Sequence, residues 1–245
     1  MITSENFPEV LQWMGFTADS TDNGIYEKRF PTFDFTLKAD VRNRRLDFST
    51  ISGGQRNNTY DETLKENLVV FECVNRLLDK GYRPEHIVLE QTWKMGHEQK
   101  SGRADICVKA QDGKKTLFIV ECKTAGKERQ KEIANMRNDG GQLFSYWQQD
   151  RNCQWLVLYA SDYDGESVRY TADSVDCSDD RNILTAAKRD MSVKLYRNAQ
   201  TNVELFEVWD ETYDKRFCGD VIFRDDSAAY QIGVKPIRKK DLEDF

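Results

Sequence analysis

Two acidic residues and a lysine at the ends of two apolar segments are the strongest candidates for chemistry in this sequence. Asp105 lies in the segment 103–109, and Glu121 and Lys123 follow the apolar residues 117–120. Side chains alternate along a strand, so Glu121 and Lys123 project from the same face. Carboxylate oxygens suit a hard divalent cation, and a nearby ammonium can hold a phosphate or orient a water. A structural salt bridge would use the same three residue types, so both interpretations are open at this point.

The spacing of Glu121 and Lys123 is weak evidence when taken alone. Glu98 and Lys100 have the same spacing, and Asp112 and Lys114 match a looser form of it. Both of those pairs lie in polar, loop-like stretches. Charges at the end of an apolar strand are costly to bury unless they are paired or used, which favours a functional role for Glu121 and Lys123.

The pattern of apolar residues predicts a mixed sheet with helices on its faces. It predicts β-hairpins over 24–51, helices over 61–80, 127–137 and 142–149, and strands over 87–93, 103–109, 116–122 and 155–160. Residues 162–180 read as an acidic, loop-rich stretch. A helix is possible over 183–195, and strands or short helical pieces are possible over 203–209 and 219–223.

The turn between the second and third of these strands decides whether Asp105 and Glu121 can share a metal. A plain two-residue turn at Asp112 and Gly113 would place Asp105 opposite Val120, facing away from Glu121. An odd-length loop or a bulge shifts the register by one residue and places Asp105 opposite Glu121. A shared metal site therefore requires one of these two irregularities.

Composition excludes several classes of protein. The chain has 245 residues and a formal net charge of −6, which argues against a basic protein that coats nucleic acid. No apolar run approaches the ~20 residues of a membrane-spanning helix, and no signal peptide is visible, so we expect no membrane partner and a cytoplasmic protein. The six cysteines have no Cys-x-x-Cys spacing, which predicts small buried thiols rather than a zinc site.

The order of several short motifs resembles a known nuclease family. Glu66 lies on a predicted helix, followed by Asp105 on a strand, Glu121 and Lys123 on the next strand, and Gln142 and Tyr146 on a later helix. This order is similar to the N-terminal nuclease domain of type I restriction enzyme R subunits. More broadly, it resembles the RecB-like PD-(D/E)xK nucleases with a Gln-x-x-x-Tyr motif. The similarity covers residues 60–162, with alanine rather than proline before Asp105.

The resemblance implies a restriction-endonuclease-like α/β fold with a mixed central sheet flanked by helices. It divides the chain into a β-hairpin extension over 1–55, a nuclease core over 56–162 and an α+β extension with a linker over 163–245. Residues 235–242 resemble the join to a methyltransferase in fused proteins. The chain contains no Walker phosphate loop and no methylase motif, so ATP hydrolysis or methylation would belong to fused helicase or methyltransferase segments or to other restriction-modification subunits.

The resemblance also implies a function and a role for each motif residue. The function is Mg²⁺-dependent hydrolysis of double-stranded DNA to products with a 5′-phosphate, with Mn²⁺ as a substitute ion. Lys123 would be catalytic beside Asp105 and Glu121, and Gln142 and Tyr146 would face DNA. Apart from the resemblance, the cations that cluster over 123–137, Lys127 and Arg129 among them, indicate either local DNA contacts or an ordinary solvated helix face. The implied metal ligands are Glu66, Asp105, Glu121 and the backbone carbonyl of Cys122.

Two alternatives from other functional classes remain open. The nuclease fold could act only as a module for DNA docking or subunit assembly, without catalysis. Glu121 and a second carboxylate could instead serve an acid–base enzyme such as a glycosidase, whose two carboxyl groups lie ~5 to 9 Å apart. Metal binding by the isolated domain would argue against the first alternative, and a sugar-sized cleft between the two carboxyl groups would favour the second.

Overall fold

A computed structural model describes residues 1–22, 24–93 and 102–177, together with five short strands further along the chain. The helices are α1 (Phe7–Trp13), α2 (Glu66–Asp79), α3 (Lys127–Asp139) and α4 (Gly141–Gln149). The first nine strands are β1 (Thr17–Ala18), β2 (Ile25–Phe30), β3 (Phe35–Asp40), β4 (Arg45–Asp47), β5 (Ile87–Thr92), β6 (Arg103–Lys109), β7 (Thr116–Cys122), β8 (Trp155–Tyr163) and β9 (Val168–Asp176). The five later strands are β10 (Gln200–Thr201), β11 (Lys215–Arg216), β12 (Val221–Arg224), β13 (Ala229–Ile232) and β14 (Ile237–Arg238).

The central sheet has six strands in the order β10-β9-β8-β7-β6-β5. Only β7 and β8 run parallel within it, and they are connected by α3 and α4. The other neighbouring strands are antiparallel. This is the predicted α/β architecture of a mixed sheet flanked by helices, and the four strands that build the candidate site lie where the sequence pattern predicts them.

Two apolar cores cover the two faces of the central sheet. On one face, α2 packs against alternate residues of β7, including Phe118 and Val120. On the other face, α4 packs Phe144 and Trp147 against residues such as Ile119 of the same strand. Because β7 is buried on both faces, its sequence is a nearly continuous apolar run.

The N-terminal residues form a four-stranded antiparallel sheet, β1-β2-β3-β4, which confirms the hairpins predicted over 24–51. They also contain α1, a helix that the strand-like pattern did not predict. Phe7 of α1 and Phe48 beyond β4 both make edge-to-face contacts with Phe71 of α2. The extension therefore shares its core with the helix that carries Glu66.

Helix α2 begins five residues later than the apolar pattern predicts. The Asp61 carboxylate accepts hydrogen bonds from the amides of Thr63 at 2.6 Å and Leu64 at 2.9 Å, and this local turn competes with helix formation. Glu66 is consequently the first residue of α2.

The acidic stretch predicted as loop over 162–180 is largely a strand, so that prediction was wrong. Val168, Tyr170 and Ala172 alternate as buried residues of β9, which pairs with β8 along its whole length. Asp173 interrupts the apolar pattern expected of a buried strand. It is an acid at a fully buried position, where it forms an ion pair with Arg129. Within the predicted segment 219–223, residues from Val221 onward form β12. The predictions over 183–195 and 203–209 lie outside the described residues.

The five described cysteines are all buried and free, as the scattered spacing predicted: Cys73, Cys107, Cys122, Cys153 and Cys177. Cys218 lies outside the described residues. Among the helices that the structure describes, none has both the length and the apolar character needed to cross a bilayer.

Candidate nuclease site

A bulge in the β6–β7 hairpin brings the two strand carboxylates to the same position. Near the turn, Ala110 donates its amide to the Lys115 carbonyl at 2.9 Å, and Lys109 pairs with Thr116. One residue earlier in β6, Val108 pairs with Phe118, so β7 contains one extra residue at Leu117. The irregularity that a shared site requires is therefore present, as a bulge rather than as an odd-length loop.

The shifted register places Asp105 opposite Glu121, beyond the last backbone pair of Ile106 with Val120. At this point the Asp105 side chain, rather than the β6 backbone, forms the hydrogen bond to β7. Its Oδ2 accepts a hydrogen bond from the Cys122 amide at 2.8 Å. The Asp105 carboxylate is therefore held at the carboxyl end of β7, next to Glu121.

Lys123 connects the two strands to the first turn of α2. Its Nζ lies 2.7 Å from Oε1 of Glu121 and 3.2 Å from Oε1 of Glu66. Its backbone amide donates to the Tyr159 carbonyl of β8 at 2.9 Å. The structure thus brings together Glu66, Asp105, Glu121 and Lys123, which lie far apart in the sequence.

The electrostatics of this cluster are those of carboxylates crowded together with little water. Burial raises the pKa of Asp105 to about 6, while Lys123 and the Cys122 amide act in the opposite direction. Burial, followed by the neighbouring Asp105, raises the pKa of Glu121 well above its ordinary value. Burial would lower the pKa of Lys123, but Glu121, Glu66 and Asp105 outweigh it and raise that pKa. The three carboxyl groups of the cluster therefore outnumber its one ammonium group.

The donor set fits a hard divalent cation. Oε2 of the buried Glu121 has no hydrogen-bond partner among the described residues, so one strong acceptor is available. The other candidate metal ligands are the Asp105 carboxylate and the backbone carbonyl of Cys122. Both offer oxygen atoms, the ligands that Mg²⁺ prefers. As they stand, no three His, Cys, Asp or Glu side chains of the described chain converge into a metal-binding group. Lys123 lies between Glu66 and Glu121, and the Asp105 carboxylate accepts a hydrogen bond from the Cys122 amide.

Gln142 and Tyr146 lie on one face of α4, as predicted, but they differ in exposure. Gln142 is exposed, whereas Tyr146 is 0% exposed. The Tyr146 hydroxyl donates to the Arg103 carbonyl of β6 and accepts a hydrogen bond from Nε2 of Gln142. Tyr146 therefore holds the first residue of β6, and its contact with DNA, which the resemblance implied, stays a prediction.

The two predicted DNA-facing cations also differ. Lys127 begins α3 and is exposed. Arg129 instead forms an ion pair with the buried Asp173 of β9, and this pair attaches α3 to the sheet. The structural partner of Arg129 argues against its role as a free DNA-binding cation, because releasing it would leave a buried carboxylate without its charge partner.

The sequence analysis missed a buried ionic group next to the site. On α2, Arg76 donates to Oε1 of Glu72 at 2.6 Å, and Tyr159 of β8 donates to Oε2 of Glu72 at 2.6 Å. The Arg76 guanidinium also lies 4.3 Å from the ring centroid of Tyr170. The four-residue spacing of Glu72 and Arg76 was a visible signal, but it usually marks an exposed helix pair.

The fold and the site define a class of protein, and a comparison of families gives the same class. The mixed sheet, with two carboxylates and a lysine at the end of β7, is a restriction-endonuclease-like arrangement. A family model described as type I restriction enzyme R protein N terminus matches residues 65–165, which is less than half of the chain. That segment is similar to this family of restriction-enzyme domains and contains every motif residue named above. No curated protein matches the chain.

The role of Gln142 can be tested separately from metal binding. Gln142→Ala is expected to weaken DNA binding and to leave Mg²⁺ affinity unchanged, because an exposed amide bonded to Tyr146 cannot also be a ligand in the buried carboxylate cluster. Calorimetric titration of Mg²⁺ or Mn²⁺, beside a DNA-binding assay, measures both quantities. Gln148→Ala, at another exposed glutamine of α4, is the matched control. A large loss of metal affinity in Gln142→Ala would contradict this assignment.

Proposed function

We propose that the chain is the Mg²⁺-dependent endonuclease domain of a restriction-modification enzyme and hydrolyses phosphodiester bonds of double-stranded DNA. The observation that carries the proposal is the bulge at Leu117, which places Asp105 opposite Glu121 beside Lys123. A hairpin needs no such irregularity to be stable. The match of residues 65–165 to the type I R protein family supports the same function, and it favours a nuclease over a glycosidase.

Four groups would hold the metal. Asp105 and Glu121 would supply carboxylate oxygens, Cys122 a backbone carbonyl oxygen, and Glu66 a half-buried carboxylate at the start of α2. When bound, Mg²⁺ would supply positive charge to polarise the phosphate and would lower the pKa of a bound water. The unpartnered Oε2 of Glu121 and the crowding of Asp105 against Glu121 both favour cation binding at this point.

Lys123 would act on the reacting groups themselves. Its ammonium is positioned between Glu121 and Glu66, and its raised pKa keeps it protonated. A protonated Lys123 donates hydrogen bonds, so it would orient the attacking water and stabilise negative charge that develops on the phosphate. Lys123 directly follows β7, which is buried on both faces and therefore gives the lysine a rigid support.

The net charge of the chain and its similarity to restriction-enzyme subunits indicate which partners would recognise the DNA. With a net charge of −6, the chain has little long-range attraction for DNA, so sequence recognition would belong to other subunits or to fused helicase or methyltransferase segments. Lys127 and Gln142, both exposed, would contact the DNA locally.

Replacing a single carboxylate tests the proposal. Wild-type chain is expected to cleave plasmid DNA in Mg²⁺ or Mn²⁺, to stop in excess chelator, and to leave 5′-phosphate ends. Asp105→Asn keeps an oxygen that can accept from the Cys122 amide, so the variant should fold. Its metal affinity should fall at least about tenfold, the smallest loss usually seen when even an outer partner of a metal ligand is removed.

The matched control is Asp112→Asn, the same substitution at the turn end of the same hairpin. It should bind metal and cleave like wild type. Metal affinity unchanged in Asp105→Asn would contradict the site, and DNA binding without any cleavage would favour the docking module instead.

A further inference from the structure

The guanidinium of Arg103 lies beside the carboxylate cluster, and its Nη1 has no hydrogen-bond partner among the described residues. Arg103 is the first residue of β6 and lies two residues before Asp105, so the two side chains project from the same face of the strand. The positive charge of Arg103 acts on Asp105 and lowers its pKa, although burial acts more strongly in the other direction. The guanidinium is therefore close enough to the cluster to take part in its electrostatics.

Arg103 has a buried donor that nothing in the described chain satisfies. Its Nη1 is inaccessible to solvent and has no hydrogen-bond partner among the described residues. Within the same residues, Arg103 forms no ion pair, although Asp105 and Glu121 are nearby acids. A buried donor without an acceptor is costly and therefore uncommon in folded proteins. The missing partner must be an acceptor, and a guanidinium selects a negatively charged one.

The backbone of Arg103 is fixed from the side of α4. Its carbonyl accepts a hydrogen bond from the hydroxyl of Tyr146, and the ring of Tyr146 stacks on Trp93 with centroids 5.5 Å apart. The approach is so close that a Cβ on Gly102 would lie 2.9 Å from the Tyr146 ring. Arg103 is therefore positioned by a buried aromatic residue, while its Nη1 has no acceptor within the part of the chain that the structure describes.

We propose that Arg103 binds a backbone phosphate of the DNA substrate next to the bond that is cleaved. This inference rests on the proposed nuclease function. A phosphodiester presents two non-bridging oxygens, which match the fork of a guanidinium, and its negative charge needs a cation when it approaches the acidic cluster. Tyr146 then acts on DNA indirectly, by holding the strand that carries Arg103.

DNA binding without cleavage tests the assignment. The full chain is titrated with a short fluorescent duplex in Ca²⁺, and the titration is repeated at several salt concentrations. Arg103→Gln is expected to weaken binding about 10-fold to 100-fold, as expected when a charged hydrogen bond is lost. The slope of log affinity against log salt should fall by about one, because one phosphate contact is lost.

The control is Lys114→Gln, which removes one positive charge at the turn of the same hairpin. A strand rise of about 3.3 Å per residue puts that turn roughly 20 Å from Asp105. Lys114→Gln should bind DNA as wild type does. In the absence of DNA, Arg103→Gln should unfold at the wild-type temperature or above it, because the substitution removes an unsatisfied buried group, whereas a structural role predicts a loss of stability.

Arg103→Lys separates charge from geometry. It should retain the salt slope and bind more weakly than wild type, since an ammonium lacks the fork. Inorganic phosphate should compete with DNA weakly and equally in wild type and Lys114→Gln, whereas competition as strong as that of the duplex would indicate a free-phosphate site. Wild-type affinity and salt slope in Arg103→Gln would overturn the assignment. A wild-type chain that neither binds nor cleaves DNA would instead overturn the nuclease function itself.

Discussion

Lys123→Ala is expected to reduce DNA cleavage at least about a hundredfold while Mg²⁺ affinity stays the same or increases. The size of the effect is that of removing one donor that stabilises charge in a transition state. Metal affinity should not fall because Lys123 is not a ligand. Its ammonium instead competes with a cation for Glu121 at 2.7 Å and for Glu66 at 3.2 Å. Single-turnover cleavage and calorimetry measure the two effects separately.

The same substitution should change stability in a way that depends on pH. Without Lys123, Glu121 is a buried carboxylate without its cation, and burial already raises its pKa in the folded chain. A group whose folded pKa is raised destabilises the fold above its unfolded pKa, and the cost disappears as the pH falls and the group is protonated. The melting temperature of Lys123→Ala should therefore lie below that of wild type at about pH 8 and approach it at about pH 5.

Lys114→Ala is the matched control, since it removes an exposed lysine at the far end of the β6–β7 hairpin. It should leave cleavage, metal affinity and melting temperature unchanged. Cleavage at the wild-type rate in Lys123→Ala would remove Lys123 from the mechanism. A fall in its metal affinity would mean that the lysine organises the metal ligands rather than competing for them.

The sequence predicts the strands of the site well because their patterns are local. The bounds of β6 and β7 follow directly from apolar runs that end in polar turns. The need for an odd-length loop or a bulge between Asp105 and Glu121 could also be predicted, because the position and length of a turn determine which residues of the two strands pair. Its position at Leu117 could not, since any residue of that run could have been the extra one.

The sequence could not predict the contacts of residues whose partners lie far along the chain. Asp173 makes β9 look like an acidic loop, and only its pairing with Arg129, 44 residues earlier, explains how an acid can be buried in a strand. Tyr146 has the spacing of a surface motif, but its hydroxyl is bonded to the carbonyl of Arg103, 43 residues earlier. Neither the periodicity of apolar residues nor the helix and strand propensities contain information about such long-range contacts.

Arg76→Met is expected to lower the free energy of unfolding by about 3 to 5 kcal/mol, the usual cost of removing one partner from a buried ion pair. Arg76 and Glu72 are only 7% and 1% exposed, and they lie in the contact between α2 and β8. Methionine fills most of the same volume but leaves the Glu72 carboxylate without its cation. Urea unfolding followed by circular dichroism measures the loss.

The double variant Glu72→Gln, Arg76→Met shows whether uncompensated charge is the cause. Glutamine can still accept the hydrogen bond that Tyr159 donates at 2.6 Å, and the pair is then neutral. Most of the lost stability should return, because neutral residues that pack well often replace a buried ion pair at little cost. A double variant as unstable as Arg76→Met would assign the loss to packing against Tyr170 instead. Below its melting temperature, Arg76→Met should still cleave DNA, since Glu72 and Arg76 hold α2 on the sheet through the Tyr159 side chain, whereas the Lys123 amide is bonded to the Tyr159 backbone carbonyl.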